Sequence, residues 1–294
     1  MKIAAFSGSL MDCGIREAME ITAKLGLEGI EIACREPHLT PVSTARHVME
    51  IGRFAEEYGL SIPALAGYAG HFSERSDGEC EQALDDFRRL LEHASLLKSD
   101  NIRIFQGGPH AFMADETHYE RAALWLRKCS EEARRYGKTI LLEIHNASLV
   151  ETPDAAIKLL DMIGEDNIGM IHDAGNMYIT DTDYGKESVR QLGSRLTHVH
   201  VKDEKRIPSA GAPGTFANRT RHGMEHFLQC RLGEGEVDHR ELFEALIENG
   251  YSGWITLECA APFPPVERLA YDFEVVKRWL RETALGKEAN SGNG

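Results

Sequence analysis

The feature that most constrains the fold is a pattern repeated along nearly the whole chain: a short apolar run, a few polar or glycine residues, then an amphipathic stretch. Short apolar runs indicate buried strands, and apolar positions three and four residues apart indicate helices with one buried face. We predict eight strands, which cover Lys2–Gly8, Gly29–Cys34, Ser61–Tyr68, Asn101–Gln106, Thr139–His145, Ile168–Asp173, Leu196–Lys202 and Trp254–Cys259.

Eight strand–helix units of this kind predict an α/β fold, a closed (β/α)8 or TIM barrel that forms a single domain over residues 1–285. The alternative, an open doubly wound sheet, normally carries a glycine-rich phosphate fingerprint after its first strand. Residues 7–12, which read Ser-Gly-Ser-Leu-Met-Asp, do not match that fingerprint. The pattern breaks at about residues 203–237, where we predict an inserted loop, and residues 286–294 are predicted to form a disordered tail.

Composition restricts the partners. The formal net charge of −14 argues against a nucleic-acid partner, because such binding depends on neutralising phosphates. Apolar stretches stay well short of the roughly 18 residues that a membrane span needs. The N-terminus reads as a strand rather than a signal peptide, and the six cysteines are scattered without a C-x-x-C pair. We therefore expect a cytoplasmic protein with reduced thiols and no membrane partner.

Polar residues stand where the later predicted strands end, and in such barrels this end carries the active site. Glu143 and His145 close the fifth strand and point to the same face, because strand side chains alternate. Buried there, a carboxylate and an imidazole cost free energy unless something neutralises them, and a divalent metal would do so. The later strands add Asp173, His200, Lys202 and Glu258.

Two glutamates, one aspartate and one histidine form a mixed oxygen and nitrogen donor set, namely Glu143, Asp173, His200 and Glu258. Such a set suits Mn²⁺, Mg²⁺ or Co²⁺ better than a cysteine-rich zinc site. Either glutamate alone could be an ordinary solvated strand end, whereas acids and histidine at the same end of four consecutive strands favour a site. We expect one divalent ion, Mn²⁺ first, with positions left for two substrate oxygens.

Other polar residues near this end have both a structural and a functional interpretation. His198 lies one pleat deeper and is predicted to be a packed barrel histidine, while His172 should face away from the lumen. His110 could line the mouth, although a loop histidine is more often solvated. Arg206 belongs to a polar run that could be a solvated loop, and we favour a functional role for it.

Five segments carry a resemblance to a known family: Leu142–Asn146, His172–Asn176, His198–Asp203, Gly233–Asp238 and Gly253–Glu258. The chain resembles the sugar isomerase/epimerase superfamily, whose xylose-isomerase-like barrels include D-tagatose/D-psicose 3-epimerases, hydroxypyruvate isomerase, inosose dehydratase and endonuclease IV. The resemblance implies that the four donors above bind one divalent metal. It also implies that the two glutamates move protons beside a ketone through a cis-enediolate, and that Arg206 contacts the substrate.

Two departures from the epimerase pattern open an alternative. The epimerases carry histidine where this chain has Asn176, and endonuclease IV uses the matching histidine as a zinc ligand, so a DNA-repair site is disfavoured. His145, two residues after the first metal glutamate, could itself act as a base. This arrangement resembles a branch of barrel subunits that cleave 3-oxo-C-glycosides with a metal, a histidine base and a small β-rich partner subunit.

The leading expectation is a metal-dependent isomerase or epimerase of a keto sugar or related polyol. Its catalytic residues would be Glu143, Glu258 and His145, and its substrate contacts Arg206, Asn176, His110 and Lys202. The alternative is a metal-dependent lyase, either a dehydratase or a 3-oxo-C-glycoside deglycosylase, with His145 as the base. We expect a small sugar or glycoside as substrate and a homo-oligomer, or a hetero-oligomer if the deglycosylase interpretation holds. An apurinic endonuclease and a non-enzymatic binding module are the weaker hypotheses.

Overall fold

Eight parallel strands close into a barrel in the computed structural model of the protein, which describes residues 1–291. The predicted (β/α)8 fold is therefore confirmed. The strands of the chain are β1 (Lys2–Phe6), β2 (Gly29–Ala33), β3 (Ala64–Gly70), β4 (Asn101–Phe105), β5 (Thr139–Glu143), β6 (Ile168–Asp173), β7 (Leu196–Val201), β8 (Asp203–Ile207), β9 (Thr215–Thr220), β10 (Gly223–Cys230) and β11 (Trp254–Leu257). Around the barrel the order is β1-β11-β7-β6-β5-β4-β3-β2.

Helices surround the barrel and follow its strands along the chain. They are α1 (Ile15–Leu25), α2 (Ala45–Tyr58), α3 (Asp77–Leu96), α4 (Glu116–Arg135), α5 (Pro153–Ile163), α6 (Ala174–Ile179), α7 (Lys186–Leu192), α8 (Arg240–Glu248) and α9 (Pro265–Ser291). Helix α5 begins as its sequence dictates, because the Thr152 hydroxyl accepts from the backbone N–H of Ala155 and proline occupies the first helical position. None of the helices within residues 1–291 combines the length and apolar character that a membrane span requires.

The barrel interior changes from apolar to polar along its axis. Ala64, Leu141 and Ile171 form a small buried cluster inside the lumen. One pleat further along their strands, the inward positions include Glu143 and Asp173, because alternate residues of a strand face the same side. The lumen is thus filled by side chains and becomes ionisable towards the carboxyl ends of the strands.

The inserted segment at residues 203–237 is more ordered than the predicted loop. It folds into a separate three-stranded antiparallel sheet with the order β8-β10-β9. The Phe216 and Phe227 rings stack at 5.5 Å, and Tyr178 of α6 packs edge-on against Phe227 at 6.4 Å. Long polar and glycine-rich stretches hide these short strands in the sequence, because part of the sheet is exposed and its apolar alternation is incomplete.

The ends of several elements also differ from the prediction. Strand β5 ends at Glu143, so His145 lies in the following turn, and β3 begins and ends later than expected. Helix α9 ends at Ser291 and so overlaps the predicted tail, of which residues 292–294 lie outside the described part of the chain. Element ends are set by local hydrogen bonding, which sequence patterns define poorly.

Candidate metal centre

Four side chains meet at the carboxyl ends of neighbouring strands, and they are the four donors expected from the sequence. Glu143 ends β5, Asp173 ends β6, His200 lies on β7 and Glu258 directly follows β11. Each offers one ligand atom, and these atoms all lie within 4.8 Å of one another. Asp173 and His200 are paired across β6 and β7, so the strand register itself brings these two donors together. We call these four residues the ligand group.

The donor atoms of the ligand group fit a divalent cation. Within residues 1–291, His200 Nδ1 and Asp173 Oδ2 are buried and have no hydrogen bond of normal geometry, although the Lys202 ammonium lies 3.0 Å from Asp173 Oδ2. His200 Nδ1 instead faces Glu143 Oε1 at 3.4 Å and Glu258 Oε2 at 3.5 Å. Burial, followed by the nearby carboxylates of Glu258 and Glu143, raises the pKa of Asp173 to about 7 despite the opposing charge of Lys202. A hard ion with oxygen and imidazole ligands would satisfy these atoms.

Glu143 is held at both of its oxygens. Arg103 Nη1 donates to Oε2 at 2.8 Å, and Asn176 Nδ2 donates to Oε1 at 3.2 Å. The Arg103 and Glu143 side chains are 3% and 2% exposed, so this ion pair is fully buried. Burial alone would raise the pKa of Glu143, but the Arg103 guanidinium lowers it to about 2. Glu143 is therefore ionised and fixed in position.

The Lys202 ammonium is in contact with two carboxylates of the ligand group. Its Nζ is 3.0 Å from Asp173 Oδ2 and 3.3 Å from Glu258 Oε2. Although burial acts to lower it, the pKa of Lys202 is raised well above its usual range by the charges of Asp173 and Glu258. The side chain is 12% exposed, so its ammonium is nearly buried between these two carboxylates.

His145 stands beside the ligand group in the turn after β5. Its Nδ1 donates to the backbone carbonyl of Asn146 at 2.5 Å, and its ring packs edge-on against Phe105 at 5.7 Å between centroids. A carbonyl only accepts, so Nδ1 carries the hydrogen and Nε2 keeps its lone pair. Burial lowers the pKa of His145, which favours the neutral imidazole.

The other predicted substrate contacts have structural partners. His110 lies in the loop after β4, and its Nδ1 is 2.7 Å from Glu151 Oε1. Arg206 donates to Asp181 at 2.6 Å and to Glu225 at 3.1 Å, which ties β8 and β10 to the end of α6. Asn176, in contrast, lies against the ligand group. Substrate contact by these three residues and by Lys202 stays a prediction.

The two histidines interpreted as structural are both buried and paired. His172 Nε2 lies 2.9 Å from Ser188 Oγ, and His198 Nε2 lies 2.9 Å from Glu31 Oε2. Sequence reasoning missed Glu31 and Arg103. Each carried a signal, because each is a charged residue between two isoleucines in the middle of an apolar strand.

The barrel and the ligand group together define a (β/α)8 protein with side chains able to hold a divalent cation. The family described as Xylose isomerase-like TIM barrel matches residues 19–282, and the chain belongs to this family.

Curated relatives and solved structures are similar to the chain. The chain is 27% identical over 229 residues to an inosose dehydratase of Bacillus velezensis, covering 76% of this chain and 72% of that protein. The fold is similar to that of an L-ribulose 3-epimerase (TM-score 0.80, 17% identity, 99% of this chain and 98% of that one). It is also similar to that of the IolI protein with a binding zinc atom (TM-score 0.77, 17% identity, 96% and 99%). The two structural matches show the common fold.

Proposed function

We propose that this chain is a divalent-metal-dependent lyase of the dehydratase type, acting on a polyhydroxylated ketone. The observation that carries the proposal is the position of His145, a half-buried imidazole beside the ligand group, whose pKa is lowered by burial and whose Nε2 has no hydrogen bond within residues 1–291. The name of the Bacillus velezensis relative, inosose dehydratase, supports the same reaction class.

In this proposal Glu143, Asp173, His200 and Glu258 hold one ion, with Mn²⁺, Mg²⁺ and Co²⁺ as the candidates. When bound, such an ion polarises a ketone and makes the proton on the neighbouring carbon more acidic. His145 Nε2 takes that proton. Lys202 Nζ, whose pKa would fall once the ion neutralises the neighbouring carboxylates, gives a proton to the hydroxyl group that departs from the next carbon. A carbon–carbon double bond conjugated with the ketone remains, and one water is released. Solvent exchange then returns both residues to their starting protonation states.

The state of Glu143 favours the histidine over this glutamate as the base. Both Glu143 oxygens already accept hydrogen bonds, and its pKa is about 2. A carboxylate with so low a pKa is a weak base towards a carbon-bound proton. A neutral imidazole is a stronger base at neutral pH, so a mechanism with a single base at His145 fits these residues best.

An isomerase or epimerase is the second candidate. Glu143 and Glu258 both approach His200 Nδ1, at 3.4 and 3.5 Å, so two carboxylates flank the same small volume. Two such groups are what proton removal and return at a carbon next to a ketone would use. The fold match to an L-ribulose 3-epimerase is compatible with this chemistry.

One experiment separates the two candidates. Mn²⁺-loaded protein is incubated in D2O with inososes, ketohexoses and a 3-oxo-glycoside, and the products are followed by NMR and mass spectrometry. A lyase yields an unsaturated ketone that has lost water, or an aglycone from the glycoside. An epimerase instead incorporates deuterium next to the ketone without losing any group. Inertness towards every substrate, with metal bound, would contradict both.

A matched pair of variants tests the base. His145→Gln should abolish the reaction while metal binding is retained. His118→Gln, which changes a partly exposed histidine at the start of α4, should react like the wild type. Equal activity of the two variants would show that the imidazole of His145 is not the base.

A further inference from the structure

A second buried polar cluster lies directly beneath His200, one layer deeper in the lumen. It consists of Glu31 on β2, His198 on β7 and Thr256 on β11, with exposed fractions of 0%, 1% and 0%. Strands β1 and β11 stand between β2 and β7 in the barrel, so Glu31 meets the β7 histidines across the lumen rather than along the sheet. The reaction proposed above does not use these residues.

One carboxylate oxygen joins the two histidines. His200 Nε2 lies 3.0 Å from Glu31 Oε2, and His198 Nε2 lies 2.9 Å from the same oxygen. His198 Nε2 is also 2.8 Å from Thr256 Oγ1, which fixes the second imidazole from the side. Since an ionised carboxylate only accepts hydrogen bonds, both Nε2 atoms carry hydrogen.

This bond determines which nitrogen of His200 is free. In the neutral ring that a metal requires, a hydrogen on Nε2 leaves the lone pair on Nδ1, and Nδ1 is the atom that faces Glu143 and Glu258. A carboxylate behind a ligating imidazole fixes its tautomer and ring orientation and increases its basicity. Rotation of the His200 ring would break the contact with Glu31 and turn Nδ1 away from the carboxylates.

We propose that Glu31, itself held by His198, is the positioning residue of the metal centre: it presents His200 Nδ1 to the ion and sets the affinity of the site. This inference rests on the metal centre of the proposed function but not on the reaction it carries out. It also differs from a second metal site. Glu31, His198 and His200 have donor atoms within 4.8 Å, but the Nε2 atoms and Glu31 Oε2 already bond to one another.

The test is calorimetric titration of the full chain with Mn²⁺. The wild type should bind one ion. Glu31→Gln keeps the shape of the side chain but removes its charge, and it should weaken Mn²⁺ binding about 10- to 100-fold. Glu151→Gln is the matched control, because Glu151 is also buried and also pairs with a histidine, His110, outside the ligand group. This control should bind Mn²⁺ like the wild type.

The titration distinguishes failure of the proposed metal centre from failure of the positioning role of Glu31. If the wild type binds no Mn²⁺, the metal centre of the proposed function fails and this inference with it. If the wild type and Glu31→Gln bind equally well, only the positioning role fails. Two ions per wild-type chain, with one lost in Glu31→Gln, would show that the Glu31 cluster is itself a metal site and would overturn the proposal.

A measurement on the wild type keeps the proposal testable even if Glu31→Gln does not fold. In Zn²⁺-loaded protein labelled with ¹⁵N-histidine, the ring nitrogens of His200, assigned with a His200→Gln sample, report the tautomer directly. We expect a hydrogen on Nε2 and the metal on Nδ1. A metal-bound Nε2 with the hydrogen on Nδ1 would refute the role of Glu31.

Discussion

Removal of Arg103 should destabilise the metal-free protein far more than the metal-loaded protein. Arg103→Leu leaves the Glu143 carboxylate buried, with the neutral amide of Asn176 on one oxygen and without its ion-pair partner on the other. Breaking a buried ion pair by removing one partner costs about 3–5 kcal/mol. At this chain length that corresponds to a fall in Tm of roughly 6–10 °C.

A divalent ion would restore much of this loss, because it supplies positive charge to the stranded carboxylate. The assay is thermal unfolding of Arg103→Leu with and without saturating Mn²⁺. Arg190→Leu is the control, because Arg190 pairs with Glu187 on the surface, where such pairs contribute about 0–1 kcal/mol. If Arg103→Leu unfolds at the same temperature as Arg190→Leu without metal, the Arg103–Glu143 pair does not stabilise the barrel. If Mn²⁺ has no larger effect on Arg103→Leu than on the wild type, the ion does not bind at Glu143.

Three further predictions concern the same site. The pKa of Asp173 is raised to about 7, so the folded state holds a proton that the unfolded state releases at lower pH. The stability of the metal-free protein should therefore decrease as the pH rises from about 4 to about 7, and Asp173→Asn should show a flatter curve of Tm against pH. Lys202→Met should no longer release water but should keep deuterium exchange beside the ketone, as NMR would show. If the variant loses both deuterium exchange and Mn²⁺ binding, Lys202 is instead needed to form the metal site. Asn218→Ala, on β9, removes the 3.0 Å hydrogen bond to Asn146, which follows His145 in the turn. The kcat should fall about 2- to 10-fold at unchanged Mn²⁺ affinity, and an unchanged kcat would show that β9 does not position the base.

The sequence was sufficient to predict the barrel and the end of the barrel at which the four side chains of the ligand group lie, because both follow from the periodic pattern of strands and helices. Apolar runs followed by amphipathic stretches define strand–helix units, and polar residues at the strand ends then fall at one end of the barrel. Arg103 and Glu31 were not predicted as site residues, because they lie in the middle of their strands rather than at the strand ends. Their partners, Glu143 and the β7 histidines, lie on other strands, and only the closed barrel brings them into contact.

The antiparallel sheet at residues 203–237 was missed for a different reason. Its strands are stabilised by pairing with one another and by the packing of Phe227 against Tyr178 rather than by a continuous apolar pattern. The side chain of Arg206 pairs with Asp181, which lies just after α6, and the polar run around Arg206 does not predict this contact. Tertiary contacts of this kind override local patterns.

Charge balance inside the lumen explains why a divalent ion suits this centre. The buried or nearly buried carboxylates of the two layers are Glu31, Glu143, Asp173 and Glu258, and the permanent cations beside them are Arg103 and Lys202. These residues carry two more negative than positive charges. A proton on His200 reduces the excess to one carboxylate, which is consistent with the raised pKa of Asp173. A doubly charged ion in contact with a neutral His200 would, together with Arg103 and Lys202, balance the charge of these four carboxylates. The same ion would free Asp173 and His200 of their protons, so metal binding and ionisation of the site should be coupled.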